Sequence, residues 1–184
     1  YGGGIYSDHA QINNFQIINN TAHSGGGIYA YGNITLQNCN IENNVADFQG
    51  GGLFSNSWSN TNLTNTDIKY NSAGMSGGGI YFKGNNVEFN LESLCSIFGN
   101  NAFEGMDLFA TFSSSNQIIV NLDTFSTTIP TTGFYTKPNH SFQINTNHGL
   151  IELQNSDLYI SSNGNDDNTG LTLDEPLLTI RHAL

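Results

Sequence analysis

The chain has 184 residues, with 15 acidic side chains against four basic ones and a formal charge of −11. That balance counts against a nucleic-acid partner, because phosphate binding needs clustered Lys and Arg. It also counts against anionic polysaccharide unless calcium bridges the charges. The longest apolar run falls far short of a membrane span, and no signal peptide is visible in a sequence that opens inside a repeat.

From the N-terminus, one phrase returns five times. Gly2-Gly3-Gly4-Ile5-Tyr6 recurs as Gly25-Gly26-Gly27-Ile28-Tyr29, as Gly50-Gly51-Gly52-Leu53-Phe54 and as Gly77-Gly78-Gly79-Ile80-Tyr81. A worn copy follows at Gly105-Met106-Asp107-Leu108-Phe109, and successive starts lie 23, 25, 27 and 28 residues apart. A second phrase keeps step with it. Ile17-x-x-Asn20-x-Ala22 recurs at Ile41, Asn44 and Ala46, at Ile68, Asn71 and Ala73, and at Ile97, Asn100 and Ala102. A fixed period in this range signals stacked units.

The phrases are short, rich in β-favouring Ile, Tyr, Phe and Thr, and bounded by Gly, Asn and Ser. They carry no apolar stripe at helical spacing. The pattern predicts an all-β chain wound as a parallel β-helix solenoid. Each coil has roughly 25 residues in three short strands and three corners, stacked about 4.8 Å apart. Ile5, Ile28, Leu53, Ile80 and Leu108 form one inward row, and Ile17, Ile41, Ile68 and Ile97 another. Tyr6, Tyr29, Phe54, Tyr81 and Phe109 follow the first row by one residue, which places them on the outer face unless a bend turns them in. Asn20, Asn44, Asn71 and Asn100 should form a structural ladder of side-chain amides at one corner. Packing accounts for all of these rows. The Gly runs lead into Ile-Tyr with no helix and no Lys, so they read as tight corners and not as phosphate loops.

The stretch between the two phrases grows through 12, 13, 15 and 17 residues, which predicts loops of varying length at one corner. That corner carries Tyr31, Trp58, Phe82 and Lys83, and Tyr31, Trp58 and Phe82 are the candidate ligand or partner contacts. Trp58, in the polar run Ser57-Trp58-Ser59-Asn60, is the candidate for stacking on a sugar. Cys39 and Cys95 share a row but lie two coils apart, roughly 9–10 Å. A disulfide needs Cα atoms within about 7 Å, so two free packed thiols are expected. Among 28 asparagines, four head glycosylation sequons. Asn33, Asn62 and Asn139 are the better acceptors, and Asn19 is expected to be less accessible beside the ladder.

Residues 1–110 are the regular array. Residues 111–156 lose the phrase and keep strand-like pieces at 117–122, 141–145 and 149–154, as expected for irregular terminal coils or a β cap that hides an open solenoid end. Residues 157–184 start anew with a strand at 157–161, an Asn/Gly/Asp turn at 163–170, and an apolar stretch opened by Pro176 that reads as a helical plug. Asp166 and Asp167 in the turn are weak calcium candidates, set against a turn held by Asn and Asp backbone contacts. No other cofactor or metal is expected.

The paired phrases resemble the repeats of the chlamydial polymorphic outer-membrane proteins and related surface β-helix proteins, which pair Gly-Gly-Ala-Ile with Phe-x-x-Asn. Here Gly replaces Ala, and Ile17, Ile41, Ile68 and Ile97 replace Phe. Residues 157–184, from Tyr159-Ile160-Ser161 through Pro176 to Thr179-Ile180-Arg181, resemble the opening segment of right-handed β-helix domains of the pectate-lyase-like superfamily. The resemblance implies a right-handed coil and extracellular or cell-surface display, and 157–184 would belong to a following or neighbouring β-helix unit. Two arrangements fit that order. Either the chain is a window on a longer tandem protein, or the tail of one unit caps the first coil of the next, head to tail, and builds a filament.

Catalysis has thin support in the residues. Lyases of that superfamily use an Arg or Lys base with calcium-binding carboxylates, and the basic residues are Lys69, Lys83, Lys137 and Arg181 alone. Asn65-Thr66-Asp67 matches the Asn-Thr-Asp of polygalacturonases, whose other motifs are missing. In register, Asp67 meets Gln16, Asn40 and Ser96, and none of these is the second carboxylate an inverting hydrolase needs. The expected function is therefore an extracellular structural module of a surface or fibre-forming protein, N-glycosylated and self-associating head to tail, with no catalytic residue. The alternative is an adhesin or glycan-binding module at the Trp58 corner, and the third reading is a polysaccharide lyase or hydrolase.

Overall fold

A computed structural model describes residues 2–57, 59–84, 87–111, 117–127, 134–151 and 157–180. The chain divides into two compact units, 1–152 and 153–184. The first is a parallel β-solenoid. Its opening coil has β1 (Ile5–Ser7), β2 (Ala10–Asn13), β3 (Gln16–Ile18) and β4 (Thr21–Ser24). The second has β5 (Ile28–Ala30), β6 (Ile34–Gln37), β7 (Asn40–Glu42) and β8 (Val45–Gln49), and the third β9 (Leu53–Ser55), β10 (Thr61–Thr64), β11 (Asp67–Lys69) and β12 (Ser72–Ala73). Then come β13 (Ile80–Phe82), β14 (Val87–Phe89) and β15 (Cys95–Phe98), followed by β16 (Leu108–Ala110), β17 (Ile118–Thr127), β18 (Thr136–Lys137) and β19 (Phe142–Ile151). Coils one to three thus hold four strands each, where three were expected. A left-handed residue after β3, β7 and β11 (Asn19, Asn43, Tyr70) turns the chain sharply enough to separate a fourth strand before the Gly corner.

Like pairs with like along the axis. Ile5, Ile28, Leu53, Ile80 and Leu108 lie in strict register, and the row ends on Thr136. Ile17, Ile41, Ile68 and Ile97 do the same and end on Phe125. A third row, Ile12, Leu36, Leu63 and Phe89, closes the lumen. All three belong to one continuous core.

The aromatic row corrects its expectation in part. It points away from that core, yet Tyr29, Phe54 and Tyr81 are buried in an apolar cluster of their own. The rings stack nearly coplanar, 4.5–5.5 Å apart from Tyr6 to Phe109, so each covers the next. Each such pair contributes about 0.5–1.5 kcal/mol beyond its burial. Tyr6, at the first coil, is half exposed.

The Gly corner makes the close approach possible. Gly25, Gly50 and Gly77 each hold φ near +66°, a region that disfavours any Cβ. A Cβ on Gly52 would come within 2.7 Å of the Gly79 carbonyl in the next coil.

The growing spacer is shared between two corners. The link from the first strand of a coil to the second runs through two, three, five and four residues, and the link from β14 to β15 stretches to five where the earlier coils use two. Beyond residue 110 the coil persists with longer strands than expected. β17 lies beside both β14 and β15. Where other coils turn at an Asn, it carries a bulge at Asp123, with Leu122 opposite Cys95 and Thr124 opposite Ser96. β19 pairs with β17 along nearly its whole length.

In the second unit, Leu177 is buried and forms a parallel bridge to Ile160, so the residues just after Pro176 make a strand contact and the helix expected from Pro176 starts only at Ile180; residues 181–184 lie outside the described residues. Asp166 holds the turn between them. Its Oδ1 accepts the Leu178 and Thr179 N–H groups at 2.9 and 2.8 Å, and its Oδ2 accepts the Thr179 hydroxyl at 2.9 Å.

Leu53 sits at the middle of its row with no exposed surface. Leu53→Ala should lower unfolding free energy by about 2–5 kcal/mol in urea titration, and Ile5→Ala, in the partly exposed first coil, should cost clearly less.

Candidate functional site

The one set of polar side chains repeated inside the solenoid is the Asn ladder. Asn20, Asn44, Asn71 and Asn100 each follow a left-handed residue, Asn19, Asn43, Tyr70 or Gly99. That corner aims each amide along the axis. Nδ2 of Asn20 donates to Asn44 Oδ1 at 2.9 Å, Asn44 to Asn71 at 3.0 Å, and Asn71 to Asn100 at 3.1 Å. Each Oδ1 also accepts the main-chain N–H of the preceding rung. Nδ2 of Asn44, Asn71 and Asn100 reaches back to the carbonyls of Ile17, Ile41 and Ile68. Asn44, Asn71 and Asn100 are buried and fully engaged, and burial of amides is tolerable only on that condition.

The ladder has a fifth rung that sequence reasoning missed. Asp107 Oδ1 accepts Asn100 Nδ2 at 2.9 Å and Asn100 N–H at 3.3 Å, as an Asn would. Asp107 precedes Leu108 where other coils have Gly27, Gly52 and Gly79. The break in the worn Gly copy was the available signal. Its side chain has no exposed surface. Burial pushes its carboxyl up to about 7, against the opposing pull of the nearby Ser126 hydroxyl and the Asn100 hydrogen bonds. Its second oxygen, Oδ2, is sealed from solvent and accepts no hydrogen bond.

A second amide ladder runs outside. Asn14, Asn38 and Asn65 hold φ of 59°, 52° and 43° at the corner before β3, β7 and β11. Asn65 donates to Asn38 Oδ1 at 2.7 Å, and Asn38 to Asn13 Oδ1 at 3.1 Å. Two shallow grooves flank this corner. One crosses β2, β6 and β10 and is lined by His9, Gln11, Asn33, Thr35, Asn60 and Asn62. The other is lined by Asn14, Phe15, Gln16, Asn40, Asn65 and Asp67. Asp67 lies between Asn40 and Ser96 in register. Lys69 Nζ stands 3.7 Å from Asp67 and 3.8 Å from Glu42. The grooves offer many amides, one hydroxyl, an imidazole, a carboxylate and one phenyl ring, which is hydrogen-bonding chemistry for a neutral ligand.

No protein-family model, curated protein or solved structure matches the chain. The reading of the surface therefore rests on its own geometry.

The candidate contact residues do not converge. Tyr31 is exposed at its corner. Phe82 is a correction: it is wholly buried in the core, in a row whose other members, Ala30, Ser55 and Ala110, are small enough to admit it. Trp58 lies outside the described residues. The glycosylation candidates Asn33, Asn62 and Asn139 are exposed. Asn19 is exposed too, because the left-handed corner turns it outward while Asn20 goes in.

Among the described residues, no group of three or more His, Cys, Asp or Glu could hold a metal ion. Asp166 has donors on both oxygens and Asp167 is exposed, an arrangement that staples a turn and does not fit a calcium cage. Cys39 and Cys95 are free and buried, and burial raises the Cys95 thiol to about 11, leaving it unreactive. No described helix is long and apolar enough to cross a membrane.

The two ladders differ in burial, and substitution should separate them. Asn71→Ala strands two buried donors of Asn44 and should cost about 2–4 kcal/mol in urea unfolding. Asn38→Ala, at the exposed corner, should cost under about 1 kcal/mol.

Proposed function

We propose that the chain is a structural β-helix module of an extracellular surface or fibre-forming protein, related in kind to the chlamydial polymorphic outer-membrane repeats, and that it assembles head to tail. One observation carries this reading: the repeated positions are occupied by packing, corner glycines and amide ladders, so the selected pattern is the stack itself. Exposed sequons at Asn33, Asn62, Asn139 and Asn19 suit a glycosylated surface.

The two shallow grooves favour a second reading, a glycan-binding module. A surface rich in amides on a chain of charge −11 suits neutral sugars, not anionic ones.

Negative-stain images over rising protein concentration should show unbranched filaments one solenoid wide. A monodisperse monomer by light scattering at every concentration would count against assembly. Binding on a neutral-glycan array that is lost in Asn62→Leu, without filaments, would favour the second reading.

A further inference from the structure

Asp107 stands where the amide ladder meets the longer-stranded coils. On one side its Oδ1 holds the Asn100 amide and main chain. On the other, its main-chain N–H and that of Leu108 both donate to the Tyr135 carbonyl, which leads into β18, at 3.0 and 2.9 Å. Beside the carboxyl is the Ser126 hydroxyl of β17, which already accepts the Gly99 N–H at 3.0 Å. One side chain thus touches the ladder corner and β17, while its backbone holds the approach to β18.

We propose that Asp107 is a proton-operated clasp that tightens the coils after residue 100 when it is protonated and loosens them when it is ionised. The neutral acid copies an asparagine. Oδ1 keeps accepting from Asn100, and with the carboxyl neutral no uncompensated charge is sealed into the corner. The ionised form keeps those bonds and is favoured by the Ser126 hydroxyl as well, but burial outweighs them. Its charge is sealed from water with no described cation paired to it, a costly state.

Several groups pack against it: the Gly79 segment, the Asn100 corner, β17 and the lead into β18. Among the described residues, the titratable group on these elements that senses its charge is the Tyr135 phenol, which burial and then Asp107 hold above its usual range. Tyr135 therefore stays neutral throughout the window. The folded-state carboxyl binds its proton more tightly than the unfolded one, which sits near 3.8. The native state then holds the extra proton between the two values. Stability falls as pH rises from about 4 through about 7 and levels off above.

The test needs no ligand. Carboxyl-carbon NMR of 13C-Asp protein should show one aspartate titrating near neutrality, absent in Asp107→Asn. Protection of the Asp107 and Leu108 amides against exchange should fall about tenfold or more between about pH 5.5 and about pH 8.5 in the wild type, and stay level in Asp107→Asn. Protection at Ile28 and Leu53 serves as the internal reference. Should Asp107→Asn fail to fold, the wild-type carboxyl titration decides alone. The proposal is overturned if every aspartate titrates below about pH 5, or if Asp107→Asn keeps the same loss of protection.

Discussion

A buried amide in a narrow tube has few possible partners, and here its partner is the same residue one coil away. That constraint sets the rest of the structure. Asn44 can sit inside only if Asn71 accepts from it and the Ile17 carbonyl takes its other proton. Both conditions fix the axial position of each coil to within a hydrogen bond's tolerance. Aliphatic rows alone would not do so, because a slipped Ile still finds hydrophobic neighbours. The ladder is the element that penalises slippage, and the Ile and aromatic rows then stack in the register it imposes. The left-handed corner before each rung aims the amide along the axis. Asn accepts that backbone conformation more readily than most side chains, and Gly at no cost. Tyr70 departs from this rule, and its ring packs against Gly99 in the next coil, where a Cβ would lie 2.6 Å from the ring.

Much of this was legible before any coordinates, because repetition converts local pattern into spatial order. The inward rows, the ladder and the packed free cysteines follow from two phrases in step. What could not be read has physical causes. The fourth strand of the first three coils depends on how sharply one left-handed residue bends the chain, and composition does not encode that angle. Phe82 looked like a corner residue because Lys83 and Gly84 follow it. Its burial depends on the small size of Ala30, Ser55 and Ala110, which are distant in sequence. Asp107 was visible as a flaw in the Gly phrase, but a flaw does not say whether a side chain points in or out. The outer corner row of Asn14, Asn38 and Asn65, whose amides bond from Asn65 to Asn38 and from Asn38 to Asn13, was hidden by the abundance of Asn. In a chain with 28 of them, three at matching positions do not stand out without the register.

Inside and outside follow different rules. The lumen is occupied by single-purpose rows, each residue fixed by those above and below. The outer faces vary from coil to coil: Gln11, Thr35, Asn62 and Glu88 share one row, and Gln16, Asn40, Asp67 and Ser96 another. A binding surface on such a frame gains flatness and an even spacing of about 4.8 Å between rows. The two grooves formed by described residues are shallow and polar. Small-molecule chemistry needs enclosure and desolvation, whereas a long ligand or another copy of the frame needs only extent.

The stack also limits how far any local event travels. In a solenoid each coil contacts its neighbours alone, so stability is close to a sum of coil and interface terms. A charge appearing at Asp107 acts on the interfaces it touches, those joining the Asn100 corner, β17 and the approach to β18. It has no direct contact with the coils that hold Asn20 and Asn44, whose hydrogen bonds are complete without it. Rigidity and responsiveness can then coexist in one tube. The first three coils keep their register through neutral amides that do not titrate, and the one ionisable rung sits where the regular repeat ends and the strands lengthen.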